Sequence, residues 1–162
     1  MESYIVINGK KAELTAELLK ALGIATEKEN PFQRAIGKNY YHIDTSGNVL
    51  CIHDTDNMAN EMDFEHANYC TDKNLMKQRA LHETLSRLLW RYSMEHDGDK
   101  IDWDSPAQKK YLPYYDLHAN KYCVDCTTWR KYHSAYFHTY EAAENAINDI
   151  IKPFMAEHLD FI

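Results

Sequence analysis

The stretch YCVDCT carries Cys123 and Cys126 at the spacing of half a zinc site or of a redox dithiol. The flanking residues read as a strand, which sends successive side chains to opposite faces, so two cysteines three apart point away from each other. They hold one ion together only if a turn separates them. Neither a second C-x-x-C nor an H-x-x-x-H accompanies them, and a thioredoxin-type pair belongs between a strand and a helix. A packing role is expected, with a zinc site recruiting Cys51 or Cys70 and a histidine as the alternative.

A second grouping, His53, Asp54, Asp56, Glu61, Asp63, Glu65 and His66, has the residue types that ligate divalent metals. A calcium loop needs oxygens at alternate positions and glycine at the sixth. HDTDNMANEMDFE does not supply them, and neither does Asp97-Gly-Asp99-Lys-Ile-Asp102. The segment reads as a solvated acidic loop, and a metal-dependent hydrolase built on His53, Asp54, Asp56 and His66 is kept as an alternative. Nine histidines and 25 carboxylates offer material for acid–base work, but no spacing pairs any two of them. G-x-S-x-G is absent, and five glycines do not make a phosphate-cradling loop. No catalytic residue, metal or cofactor is assigned, and a non-enzymatic protein is expected.

The acidic residues fall in two runs. Residues 51 to 65 hold five carboxylates and no Lys or Arg, and residues 95 to 104 hold five more against Lys100. With a formal charge of −7, direct nucleic-acid binding is disfavoured, because affinity for phosphate backbones comes from Lys and Arg. A basic protein partner fits the charge better, drawn by the negative field of the two runs if they share a side. No apolar run approaches the length that spans a bilayer, and MESYIVINGKKAEL lacks a signal-peptide pattern, so a cytoplasmic protein with its cysteines as thiols is expected.

The elements that must position these groups follow from periodicity. Tyr4 to Ile7 reads as a strand, Asn8-Gly9 as a turn, and Leu14, Leu18, Leu19 and Leu22 as a helix stopped by Gly23. Residues 25 to 38 read as a connector. Tyr41 and Ile43, with Val49 and Cys51 beyond Ser46-Gly47-Asn48, form a hairpin. A long helix runs from Asp72 to Glu95, capped by Thr71 or Asp72. Leu75, Leu81, Leu85, Leu88, Leu89 and Tyr92 lie on its core arc, with Lys73, Lys77, Arg87 and Arg91 opposite. That basic face is the basis of a second alternative, a nucleic-acid-binding accessory protein. A second hairpin turns at His118-Ala119-Asn120, and a short strand leads into a helix with Ala143, Ile147, Ile150, Ile151 and Phe154 inside, which Pro153 should kink or end.

The two halves superimpose as sequences, Tyr40 on Tyr114 at an offset of 74 and Asn68 on Ala135 at an offset of 67, with about seven extra residues in the acidic segment of the first copy. The expected fold is α+β: two related hairpin, strand and helix units, residues 40–96 and 97–162, sharing one core. A β-α lead-in and connector, residues 1–39, precede them in a single domain, 1–162.

Asn30-Pro31-Phe32, Tyr40, Tyr41, Ile43, Gly47 and Val49 are followed by Asn68-Tyr69 at a helix start. Asp102-Trp103, Gln108, Lys110-Tyr111, Tyr115-Asp116, Tyr136-Phe137, Glu141 and Ala146 come after it. In this pattern the chain resembles a widespread set of accessory proteins encoded by phages and mobile elements of Gram-positive bacteria, with Cys70 where an aromatic is usual. The resemblance brings no chemistry with it. It implies a genetic context in which small acidic proteins occupy host machinery, CRISPR-type nucleases included. The expectation is a binding protein that inhibits a host nucleic-acid-handling or defence protein through one acidic surface, as a DNA mimic would. That surface is assigned to Asp54, Asp56, Glu61, Asp63, Glu65, Asp97, Asp99, Asp102 and Asp104. Its partner would be a host protein with a basic surface; membranes are not expected to be involved, and the oligomeric state is not assigned.

Overall fold

The computed structural model describes residues 4–7, 10–13, 15, 30–96, 98–129 and 135–161. The chain divides into two compact units, residues 1–33 and 34–162. In the first, β1 (Tyr4–Ile7) pairs antiparallel with β2 (Lys10–Glu13), Ile7 opposite Lys10. Lys10–Glu13 is thus a second strand that the sequence reading did not assign. The sequence between the paired ends is Asn-Gly, the dipeptide best suited to a two-residue hairpin connection. The expected turn and leucine helix lie outside the described residues.

The second unit has the expected α+β class. Strands β3 (Asn39–Ile43) and β4 (Val49–His53) form one antiparallel hairpin, and β5 (Lys110–Asp116) and β6 (Lys121–Thr127) another. Each hairpin closes with an aspartate and a residue of positive φ. Asp44 accepts from the amides of Ser46 and Asn48 with Gly47 at φ 90°, and Asp116 accepts from the amides of His118 and Ala119 with Asn120 at φ 51°.

Each hairpin also takes a single-residue bridge on its first strand. Tyr41 exchanges amide hydrogen bonds with Cys70, at 2.7 and 3.1 Å, and Tyr111 does so with Phe137, at 3.0 and 2.8 Å. Two residues later comes a cap. Asp72 accepts from the amides of Asn74 and Leu75 and starts α2 (Lys73–Glu95); Thr139 accepts from the amide of Ala142 and starts α3 (Tyr140–Ala146). The repeat is therefore structural, with the expected offset of 67 at the helix start, Cys70 to Phe137.

At the hairpins the expected offset of 74 is corrected to 70, Tyr41 matching Tyr111. Strands β5 and β6 are seven residues long against five, so matching Tyr-Tyr to Tyr-Tyr aligned the base of one hairpin with the outer part of the other. Cross-strand partners are then Cys51 and Cys126. From Cys51 to Cys70 is 19 residues, from Cys126 to Phe137 is 11, and the difference, 19 − 11 = 8, is the length of the inserted helix α1 (Met58–Glu65, 8 residues).

Helix α2 holds the two copies together by burying different faces along its length. Met76 and Ala80 pack with Ile43 and Cys70 against Tyr41 and Val49. Nine residues on from Met76, about 900° or a half turn away, Leu85 packs with Ile147, Ile151 and Phe154 against Leu81, Leu88 and Tyr122. Leu89 and Tyr92 reach Phe137, Ala143 and Ala146. The buried residues thus form clusters ranged along one helix, the last two sharing Leu89 and Val124. Leu75, expected on the core arc, is exposed, because the first turns of the helix face the other hairpin.

At the end of α2, Gly98 is buried so closely that a Cβ there would lie 2.7 Å from the carbonyl oxygen of Ser93. Pro153 does not stop the last helix. A π-helical turn, Ile147–Ile151, carries α3 into α4 (Lys152–Glu157), and its wider spacing just before the proline accommodates the ring and the missing donor. Lys110 stands where the first copy has Tyr40. It is 1% exposed, and its ammonium donates to the carbonyls of Ser105, Gln108 and Thr128 at 2.8, 3.1 and 3.0 Å. Among the described residues, no helix is long and apolar enough to cross a membrane.

Because α2 belongs to both clusters, Met76→Ala and Leu85→Ala should each cost about 2–5 kcal/mol and shift one common transition. Chemical denaturation followed by both circular dichroism and tryptophan fluorescence checks this; two separable transitions would show that the copies unfold independently.

Candidate functional site

The end of β4 delivers Asp54 into the interior. Its amide donates to Lys38 and its carbonyl accepts from Gly37, both at 2.9 Å, which fixes the backbone. The carboxylate is 0% exposed and accepts from Arg34 Nε at 3.1 Å, from the Tyr69 hydroxyl at 3.1 Å and from the Asp56 amide at 2.9 Å. Burial, the largest influence, pushes its pKa up. The Arg34 guanidinium, the Asp56 amide and the Tyr69 hydroxyl together outweigh it and hold the carboxyl below the usual range.

The network continues from Tyr69. Its ring stacks on Tyr40, centroids 4.1 Å apart and planes 11° from parallel. The Tyr40 hydroxyl donates to Asp63 at 2.7 Å and accepts from Asn60 at 3.0 Å; burial first, then Asp63, pushes its pKa up to about 12. Asp63 also lies 3.1 Å from His42 Nδ1, and the Asn60 side-chain oxygen Oδ1 accepts from the Thr55 amide at 3.0 Å.

This network decides how α1 sits. Asn57 caps the helix by accepting from the Asn60 amide, and Ala67, at φ 55°, follows its end. Asn60 and Asp63 face inward, drawn by Tyr40 and His42. At about 100° per residue, Met58, Glu61, Met62 and Glu65 fall on the opposite side. Met58 is 77% exposed and Met62 48%, and Glu61 and Glu65 are exposed as well. The helix is amphipathic in the reverse sense, with hydrogen-bonding groups inside and methionines outside.

The nine carboxylates assigned to a partner surface are therefore not equivalent. Asp54 is corrected: fully buried and gripping Arg34, it cannot meet a partner. Asp63 belongs mainly to the internal network, with its side chain 23% exposed. Asp56 is exposed but pairs with Arg34 at 2.9 Å. Glu61 and Glu65 face out. Asp99, Asp102 and Asp104 are exposed in the loop after α2, where Asp102 accepts from the amides of Asp104 and Ser105; Asp97 lies outside the described residues.

The expected convergence of the two runs does not occur. The first is anchored through Tyr69 beside the start of α2, the second follows its end, and 23 helical residues, roughly 34 Å, separate these points.

Neither metal reading finds a ligand set. Among the described residues, no group of three or more His, Cys, Asp or Glu side chains is placed to hold a metal ion. His53 lies 3.0 Å from Asn39 at the exposed hairpin edge, while Asp54 is taken up inside. Cys123 and Cys126 lie in one strand, β6, with Cys123 partly buried and Cys126 exposed, and all four cysteines are free. Cys70 packs in the first cluster, and burial raises its thiol pKa. The basic face of α2 is not wholly free, since Met76 and Ala80 lie within it, yet Lys73, Lys77, Arg87 and Arg91 are exposed.

Comparison with protein-family models, with curated proteins and with solved structures gave no match. What sequence reasoning missed here is α1 and the roles of Arg34 and Tyr69. The available signal for α1 was Asn57 ahead of Met58-x-x-Glu61-Met62-x-x-Glu65.

Removing the Asp54 charge leaves Arg34 with the exposed Asp56 as its remaining carboxylate and gives the Tyr69 hydroxyl and the Asp56 amide only a neutral acceptor, so Asp54→Asn should destabilise the protein by about 1–3 kcal/mol at neutral pH. Its folded pKa is depressed, so the stabilisation is complete above the unfolded value of about 4 and is lost as pH falls through the lower folded value. Urea denaturation across pH should show the gap between variant and parent narrowing below about pH 4. A gap constant down to pH 2 would contradict the assignment.

Proposed function

We propose that the chain is a non-catalytic binding protein that engages a protein partner through the outward face of α1. The observation that carries this reading is the reversed helix. A short helix in water ordinarily hides its methionines, whereas this one spends its polar side chains on an internal network and turns Met58 and Met62 outward between Glu61 and Glu65. Unbranched thioethers adapt to irregular apolar clefts, and apolar side chains rimmed by charge mark interaction surfaces. The complementary partner surface is an apolar cleft edged by Lys or Arg. The acidic rim speeds encounter and rejects acidic surfaces.

A host nucleic-acid-handling or defence protein, CRISPR-type nucleases among them, presents basic surface of this kind. That choice of partner rests on the resemblance of the sequence to accessory proteins of phages and mobile elements, and with it a bacterial cytoplasmic setting. The loop of Asp99, Asp102 and Asp104 is not needed for the contact, since it follows the far end of α2.

Capture of partners from bacterial lysate by the tagged protein, with and without nuclease, tests the reading. Met58→Ala with Met62→Ala, and Glu61→Lys with Glu65→Lys, should each reduce nuclease-resistant capture by about tenfold or more, in line with interfaces in which a few anchors dominate. Asp102→Lys with Asp104→Lys should leave capture unchanged. Capture by both α1 variants at the level of the parent protein would overturn the proposal.

A further inference from the structure

Beside the hairpin turn of residues 44–48, the C-terminal half of α2 leaves a groove lined by Thr45 and Ser46 of the turn and by Thr84, Arg87, Leu88, Trp90 and Arg91 of the helix. Three observations distinguish it from ordinary solvated surface. No carboxylate among the described residues lines it, in a protein whose formal charge is −7. Among the described residues, Arg87 reaches only the Thr84 hydroxyl, at 3.3 Å, and neither Arg87 nor Arg91 makes an ion pair. Trp90 is 61% exposed, while its chain neighbours Leu88 and Leu89 pack into an apolar cluster. The nearest turn carboxylate, Asp44, is taken up by the amides of Ser46 and Asn48 and by the Asn48 side chain.

Two unpaired guanidinium groups beside two hydroxyls suit a phosphate, which accepts hydrogen bonds from both types of donor. An exposed indole next to them suits a planar ring, because aromatic faces stack on bases regardless of sequence. We infer that this groove binds a nucleotide unit, its phosphate between Arg87 and Arg91 with Ser46 and Thr45 at the rim, and its base on Trp90. The overall negative charge limits the ligand to one or a few phosphates, because a long polyanion would meet the acidic loops. A free nucleotide and one nucleotide within a single strand share this chemistry. The site is separate from the α1 face and does not depend on it.

Titration by calorimetry and by tryptophan fluorescence, in low salt, uses adenosine monophosphate, inorganic phosphate, a short oligothymidylate and a duplex of the same length. Adenosine monophosphate or the single strand should bind at least about tenfold more tightly than inorganic phosphate, and added salt should weaken binding. Binding of both identifies the isolated nucleotide as sufficient; binding of the strand alone identifies single-stranded nucleic acid as the source. Arg87→Gln with Arg91→Gln should lower affinity by about tenfold or more, and Trp90→Leu should reduce the nucleotide to the level of phosphate. Unchanged circular dichroism shows that these exposed substitutions leave the fold intact. Phosphate binding as well as the nucleotide, preference for duplex, affinity unchanged in the arginine variant, or no binding of either nucleotide probe would overturn the inference.

Discussion

A helix that must satisfy two cores on opposite sides is the constraint on which the second unit depends. An ordinary amphipathic helix hides one stripe and leaves the rest to water. Helix α2 hides Met76 and Ala80 against the first hairpin, then, half a turn round, Leu85, Leu89 and Tyr92 against the second hairpin and the last helices. Neither two-stranded hairpin covers its own face well enough to stand alone. The common helix therefore supplies what each lacks. It also sets the length over which the two acidic segments are held apart, so the same rod that unites the cores prevents the charges from forming one surface.

The buried carboxylate of Asp54 organises the first copy at a different level. A desolvated charge is tolerated only when its lone pairs are filled, and Arg34, Tyr69 and the Asp56 amide fill them. Tyr69 in turn stacks on Tyr40, whose hydroxyl holds Asn60 and Asp63 of α1. Polar demand from below, not hydrophobic burial, orients that helix, and its methionines face outward as a result. Structure and proposed recognition are thus linked through one chain of hydrogen bonds.

Much of the scaffold was legible in the sequence because it follows short-range rules. Both hairpins of the second unit, the Asp72 cap, the extent of α2 and the correspondence of Tyr69-Cys70 with Tyr136-Phe137 come from alternation, turn residues and helical spacing. Leu75 was misplaced because periodicity assumes that one helix has one buried face. Helix α1 was missed because no apolar stripe facing a core marks it, Asn60 and Asp63 being its inward residues, and its one signal was the Asn57 cap ahead of Met58 and Met62. The carboxylates were the least legible feature. Asp54 and Asp56 look alike in sequence and both pair with Arg34, yet one is sealed inside and the other exposed, a difference set by the backbone bonds of Asp54 to Gly37 and Lys38 and by the Tyr69 hydroxyl. Charge counts give the sign of a surface, not which side chains reach it.

Position 40 in the first copy and position 110 in the second occupy the same place in the repeat and are equally hidden, one a phenol and the other an ammonium. The phenol is complete only with α1 in place, and the ammonium only with three main-chain oxygens that the other copy does not offer. Transplanting either residue would strand an unsatisfied polar group. If the halves arose by duplication, each has since become keyed to its own surroundings, and the eight-residue insertion in the first is now a structural obligation, not an ornament that could be trimmed away.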